Sequence, residues 1–202
     1  SSDGVPYFLF ALAGQLGWNL FANTVSKSST CLVGNANLIS KVYFPRMILP
    51  LSSLPSMLVD FAIAAAMMAV LMASYHVVPG VGLLFLPLWM AIFMAIAIGM
   101  GLITSALSVS YRDVGYILPV FMTMLMYASP VAYGVSNVPA SIKPFYYYNP
   151  ASTVLEGFRW SLLNTAPPQW AYVGYSAGVA AVILVVGAFS FKRMERRFAD
   201  VV

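Results

Sequence analysis

The sequence has 202 residues, of which 61% are apolar and only 8% charged, and its mean hydropathy is +0.85. A soluble domain of this length needs far more polar surface to cover its core, so the composition excludes one and makes lipid the solvent. The net charge of +4 does not point to nucleic acid. The basic residues sit in small groups between long apolar runs, which is the pattern that orients membrane spans.

A helical span needs about 20 apolar residues, and five runs qualify, at roughly 5–26, 48–75, 82–110, 114–135 and 169–191. The first run carries Gln15, Asn19 and Asn23 at intervals of four, which stacks three amides on one helical face. Lipid leaves such groups unsatisfied, so the face either hydrogen-bonds to other helices or lines a hydrated conduit. These three, with the adjacent Trp18, are the conduit candidates of this run.

Segment 30–47 mixes Val33, Leu38, Ile39, Val42, Tyr43 and Phe44 with Asn35, Asn37, Ser40, Lys41 and Arg46, and Pro45 closes it. The pattern fits a short helix across the inner membrane surface. It either docks into a groove on a partner or lies in the headgroups. In the second run Asp60 is the one acidic residue deep in a span. It makes a packing or gating hydrogen bond, or carries protons; no other run offers it a second carboxylate or a lysine. Cys31 and His76 are the only residues of their kinds. The chain therefore holds no internal disulfide, no Cys/His metal site and no Cys/His nucleophilic pair. A Gly-rich phosphate loop is also absent, so ATP is not bound in that way.

In the fourth run Tyr116, Thr123, Tyr127 and Pro130 fall near one face, and Pro119 and Pro130 bend the helix or loosen its ladder. Tyrosine offers a ring for apolar sugar faces and a hydroxyl for sugar hydroxyls, so these residues with Tyr133 suit a glycan path; an interfacial aromatic belt is the other reading. Residues 136–168 then form two short elements. One runs from Pro139 and is crowded with Phe145, Tyr146, Tyr147 and Tyr148. The other opens on Asn149-Pro150 as N-cap and first-turn proline, continues through Ala151, Val154, Leu155, Phe158 and Leu162, and stops at Asn164. Glu156 and Arg159 are three apart and can pair on its polar side. Two such elements at an exit resemble a gate; a surface aromatic belt is the alternative. Gly174-Tyr-Ser-Ala-Gly178 in the last run is a G-x-x-x-G helix-packing signal.

Lys27, Lys41, Arg46, Arg112, Lys192, Arg193, Arg196 and Arg197 fall in alternate connections, leaving only Lys143 and Arg159 on the other side. This bias places the C-terminus in the cytoplasm and Ser1 outside. An outside N-terminus without a signal peptide leads to the expectation of an upstream span and a six-span subunit.

Four stretches resemble the type-2 permeases of ATP-binding-cassette exporters, in particular those that export lipid-linked polysaccharide such as O-antigen, capsule or teichoic acid. They are Leu32 to Ser52 (LVGNANLISKVYFPRMILPLS), Ser108 to Pro119 (SVSYRDVGYILP), Tyr127 to Tyr133 (YASPVAY) and Tyr148 to Trp160 (YNPASTVLEGFRW). The resemblance implies an all-α polytopic membrane protein. Residues 1–202 would form a single permease domain that pairs with a second copy over two nucleotide-binding ATPase subunits, in a bacterial inner membrane. It implies no catalytic or metal site and no cofactor in this chain, ATP and Mg belonging to the partner. Asn35, Asn37, Leu38, Lys41, Tyr43, Phe44 and Arg46 would form the coupling helix, with Arg112 and Asp113 a second contact. Tyr146, Tyr147, Tyr148, Asn149, Glu156, Arg159 and Trp160 would belong to the outer gate helices. Lipids and a lipid-linked glycan are the remaining partners, and nucleic acid is not one. An exporter of drugs or small lipids, or an ion-coupled transporter, is the alternative.

Overall fold

The computed structural model describes residues 5–35, 45–134 and 143–195. These residues fold into helices and connecting turns, with no strand among them. Helix α1 covers Tyr7–Gly34, α2 Ile48–Ser52, α3 Leu54–Ser74, α4 Leu86–Ser110, α5 Val114–Ala128, α6 Lys143–Tyr148, α7 Pro150–Leu163 and α8 Trp170–Glu195, and a 3₁₀ turn at Val81–Phe85 leads into α4. An all-α polytopic architecture is therefore what the apolar runs build.

Three segments are long and apolar enough to cross a membrane: Ile48–Ser74, Val81–Ser110 and Trp170–Glu195. Helix α1 has the length, ~42 Å for its 28 residues at 1.5 Å each, but its amides lower its hydropathy. It also runs eight residues beyond the expected end at 26, which brings Lys27 into the helix. The fourth run is shorter than expected. Its helix stops at Ala128, because Ser129 precedes Pro130 and takes an extended conformation (ψ 147°).

The row α1–α4–α8 makes the body of the chain, with α4 in the middle. Small residues set the α1–α4 spacing: a Cβ on Gly101 would lie 2.6 Å from Ser28 Cβ, and the Ser29 and Ser108 hydroxyls meet at 3.3 Å. Helix α7 is wedged against α1, α4 and α8, with Val154, Leu155 and Phe158 fully buried. It is a core element, although its 14 residues are too few to cross a membrane. Phe21, Phe93, Phe158 and Phe61 form a chain of ring contacts through this core, with centroids 5.2–6.1 Å apart. A smaller cluster of Leu32, Leu49, Leu102, Ala106 and Phe191 packs the other end of the body. Helices α3 and α5 lie at the margins and bury few side chains: Met57, Phe61, Met68 and Met72 on α3, Leu118 and Met122 on α5. Their exposed Ile63, Met67, Val70, Ile117 and Val120, with Val182, Val185 and Phe189 on α8, form the apolar exterior that a bilayer requires.

The close helix contact on α8 is not at Gly174 and Gly178, where an added Cβ meets nothing within 4 Å. It is at Gly187, whose added Cβ would run into the carbonyl of Gly99, while one on Gly99 would sit 2.6 Å from the Ile183 carbonyl carbon. Backbone cannot step aside as a flexible side chain can. We therefore expect Gly187→Ala to lower stability by about 1–3 kcal/mol and Gly178→Ala to stay within ~0.5 kcal/mol of the parent, as read from unfolding midpoints in detergent. Equal effects at both positions would contradict this packing.

Candidate functional site

The polar face of α1 is one residue longer than its amides. Gln15, Asn19, Asn23 and Lys27 stack at intervals of four on the one continuous helix. Gln15 Nε2 donates to Asn19 Oδ1 at 2.8 Å, while Asn19, Asn23 and Lys27 are exposed. Facing them from α3 is Asp60, whose Oδ2 accepts from Lys27 Nζ at 3.3 Å. The two helices enclose a groove of about 130 Å³, with Asn19, Asn23 and Asp60 on its wall and Leu16, Met57 and Phe61 closing its base. Asp60 thus has a lysine partner. The sequence reading missed it because Lys27 was assigned to the connection; continuing the i, i+4 count by one step finds it. Trp18 does not belong to this face. It is 3% exposed and packs on Phe21 at 5.3 Å, on the core side of α1.

An ion pair about half exposed, in line with three amides, is not a surface that hydrocarbon tolerates. The face therefore meets water, a polar solute or another polypeptide.

On α5, Tyr116, Thr123 and Tyr127 are exposed, while Pro130, grouped with them by spacing, is buried. Thr123 Oγ1 is spent on the Pro119 carbonyl at 2.9 Å. This leaves the two tyrosines, 81% and 72% exposed, as the groups displayed. Tyr133 turns back to donate to the Tyr127 carbonyl at 3.2 Å and meets the Tyr146 hydroxyl at 2.7 Å.

Two short helices are present, Lys143–Tyr148 and Pro150–Leu163, while the start of the first element, at Pro139, lies outside the described residues. Asn149 caps α7, its Oδ1 accepting from Ala151 N at 3.0 Å, while its Nδ2 donates to Ser129 Oγ at 3.0 Å and so binds the cap to the end of α5. Asn164 ends α7 in the left-handed conformation that asparagine tolerates (φ 54°). The tyrosines of α6 pack on α8: Tyr147 stacks on Tyr172 at 4.8 Å and Tyr148 meets Tyr175 edge-on at 6.0 Å. Burial, then the bond to Tyr146, holds the Tyr133 hydroxyl well above its usual range. Burial, then Glu156 and Tyr172, does the same for Tyr147. Both remain neutral hydroxyls at ordinary pH. Trp160 is half-buried in a cluster with Phe85, Trp89 and Trp170.

Arg159 is not on a polar outer side of α7. It is 2% exposed and turned inward, its Nη2 donating at 2.7 Å to the carbonyls of both Pro130 and Val131, its Nε at 3.4 Å to that of Phe10, and its guanidinium lying 4.0 Å from the Phe10 ring centre. Gly14 makes this possible, since an added Cβ would strike the Val131 oxygen and sit 2.6 Å from Arg159 Nη2. Arg159 and Glu156 also line a polar cavity of about 340 Å³ with Lys143, Tyr147 and Gln169.

At the opposite end, Arg46 is anchored to the last turn of α8, its backbone N donating to Glu195 Oε1 at 3.2 Å and its Nη1 to the Glu195 carbonyl at 3.3 Å. Asn35 closes α1, its Nδ2 donating to the Cys31 carbonyl at 2.8 Å. Arg112 and Asp113 are exposed in the turn between α4 and α5. Asn37, Leu38, Lys41, Tyr43 and Phe44 lie outside the described residues. Among the described residues no group of His, Cys, Asp and Glu could hold a metal ion.

The sequence pattern of the ABC-2 type transporter family matches residues 1–163. The chain belongs to this family. It is similar to two proteins of Klebsiella pneumoniae, each named O-antigen export system permease protein RfbA, at 24% and 23% identity over 96% of this chain and 75% of theirs. A protein of the same name from Myxococcus xanthus is 24% identical with the same coverage. As an ABC-2 family member the chain is a multi-pass transmembrane subunit of a transporter rather than an enzyme.

Proposed function

We propose that this chain is the conduit-forming permease subunit of an ATP-driven exporter that moves lipid-linked polysaccharide of O-antigen, capsule or teichoic-acid type across a bacterial inner membrane. The observation that carries the reading is the column Gln15–Asn19–Asn23–Lys27, its last three members exposed, on a helix that buries fourteen of its other residues. Amides and hydroxyls are good partners for the donors and acceptors of a sugar chain, and the exposed rings of Tyr116 and Tyr127 can stack on its apolar faces. The names of the Klebsiella and Myxococcus relatives support a polysaccharide as cargo.

In this reading residues 1–202 are one permease domain. Two copies face each other with their polar columns toward the shared path, and two nucleotide-binding subunits beneath them supply ATP and Mg. Residues 35–46 and the Tyr111–Asp113 turn face those subunits, on the cytoplasmic side where the C-terminus also lies. The bonds between Arg46 and Glu195 favour this, since they hold the end of the coupling segment to the end of the last helix. Residues 143–163 form the outer gate.

The test is reconstitution of the full permease with its ATPase in vesicles holding a lipid-linked glycan. ATP-dependent appearance of the glycan on the far side is expected. Transport that needs no nucleotide-binding partner and collapses in Asp60→Asn would replace this reading with an ion-coupled one.

A further inference from the structure

Helices α1 and α3 are the two walls of the groove and also the helices that lead into and out of the 35–46 connection, α3 by way of the short α2. Lys27 stands seven residues before Gly34, and Asp60 six residues after Leu54. Lys27 is thus ~10 Å from the end of α1 and Asp60 ~9 Å from the start of α3, and their 3.3 Å contact puts them at matching depth. Few other polar contacts join the two sides. Ser28 Oγ donates to the Pro50 carbonyl at 3.3 Å and meets Ser53 Oγ at 3.4 Å, both of them below the pair. Helix α3 otherwise grips the body through the sulfur and ring contacts of Met57, Phe61, Met68 and Met72, which slide easily because they are apolar and largely without direction.

We propose that the Lys27–Asp60 ion pair is a positioning tie that makes α1 and α3 move as one wall when the 35–46 connection is displaced. It rests on the reading of that connection as the segment receiving the ATPase's motion. An ion pair suits the task. The pair faces the groove rather than lipid, so it acts as a weak but directional contact that keeps the two helices in register. Its charges also cancel, so the wall stays neutral toward the passing chain.

The experiment compares glycan exported per ATP hydrolysed in the reconstituted complex. Lys27→Ala and Asp60→Ala should each lower the ratio at least fivefold, and the exchange Lys27→Asp with Asp60→Lys should restore it to within about twofold. The restoration separates a tie from a merely structural role and from a specific contact of either residue with cargo. A permanent link gives a second readout. Lys27→Cys with Asp60→Cys, joined by a bifunctional thiol reagent in a Cys31→Ser background, should keep exporting, because a tie need not open. Single variants with the parent ratio, an exchange variant that folds without recovering, or a cross-link that stops export would each overturn the proposal. If the parent complex itself exports no glycan, the export reading fails instead. The tie is then judged by whether the distance between spin labels at 27 and 60 stays constant on ATP addition.

Discussion

Arg159→Ala should lower the stability of the permease by about 3–5 kcal/mol and reduce export more than tenfold. The side chain supplies two 2.7 Å hydrogen bonds from one nitrogen to the carbonyls of Pro130 and Val131 and a longer one to that of Phe10. Bonds from a charged donor are worth about 1.5–3 kcal/mol each, and truncation also leaves a cavity under the Phe10 ring. The carbonyls matter because of where they are. Pro130 and Val131 follow the point at which proline stops α5, so their oxygens have no helical partner. One buried guanidinium thus joins the N-terminal end of α1, the break after α5 and the second half of α7. Arg159→Lys should recover under half of the loss, because a single ammonium cannot reproduce the planar fork. Unfolding midpoints in detergent and vesicle export together check this. An alanine variant as stable as the parent would show that α7 is held by its apolar contacts alone.

The second large effect is expected on transport without loss of fold. Replacing Gln15, Asn19 and Asn23 together by leucine removes the amides but keeps helix propensity and side-chain length. If the face is the conduit wall, each lost polar contact with cargo or its water is worth about 1 kcal/mol. The sum of ~3 kcal/mol corresponds to a fall of about 100-fold in export, since 1.4 kcal/mol is tenfold. Stability in detergent should be kept or slightly raised, because among the described residues the three side chains make no hydrogen bond to another helix and the one between Gln15 and Asn19 is internal to α1. If the amides served interhelical packing, the signs would reverse: lost stability and a nearly unchanged rate.

Much of this architecture is legible in the sequence because lipid imposes simple rules. Five apolar runs became helices, and the Asn149-Pro150 start and Asn164 stop of α7 were read from local capping chemistry alone. The i, i+4 amides were visible for the same reason. Arg159 was misread because its surroundings depend on tertiary structure. In sequence it sits three from Glu156 on a short amphipathic stretch, and only the fold brings the Pro130 and Val131 carbonyls and a glycine at position 14 to it. Trp18 was grouped with the amides by proximity in sequence, yet one residue's step on a helix is 100° of rotation and puts it in the core. The G-x-x-x-G at 174–178 points away from the body, while the contact that brings α4 and α8 together uses two glycines 88 positions apart, which no local pattern reveals.

The most direct test is whether water reaches the polar face of α1 at membrane depth. In a Cys31→Ser background, Asn23→Cys and Val185→Cys are placed in turn in the assembled transporter and treated with a charged, membrane-impermeant thiol reagent. Asn23 lies in the groove wall and Val185 on the apolar exterior of α8, 67% exposed. The conduit account predicts rapid modification at position 23, slowed when glycan is in transit, and none at 185. Protection of position 23 equal to that of 185 would contradict it.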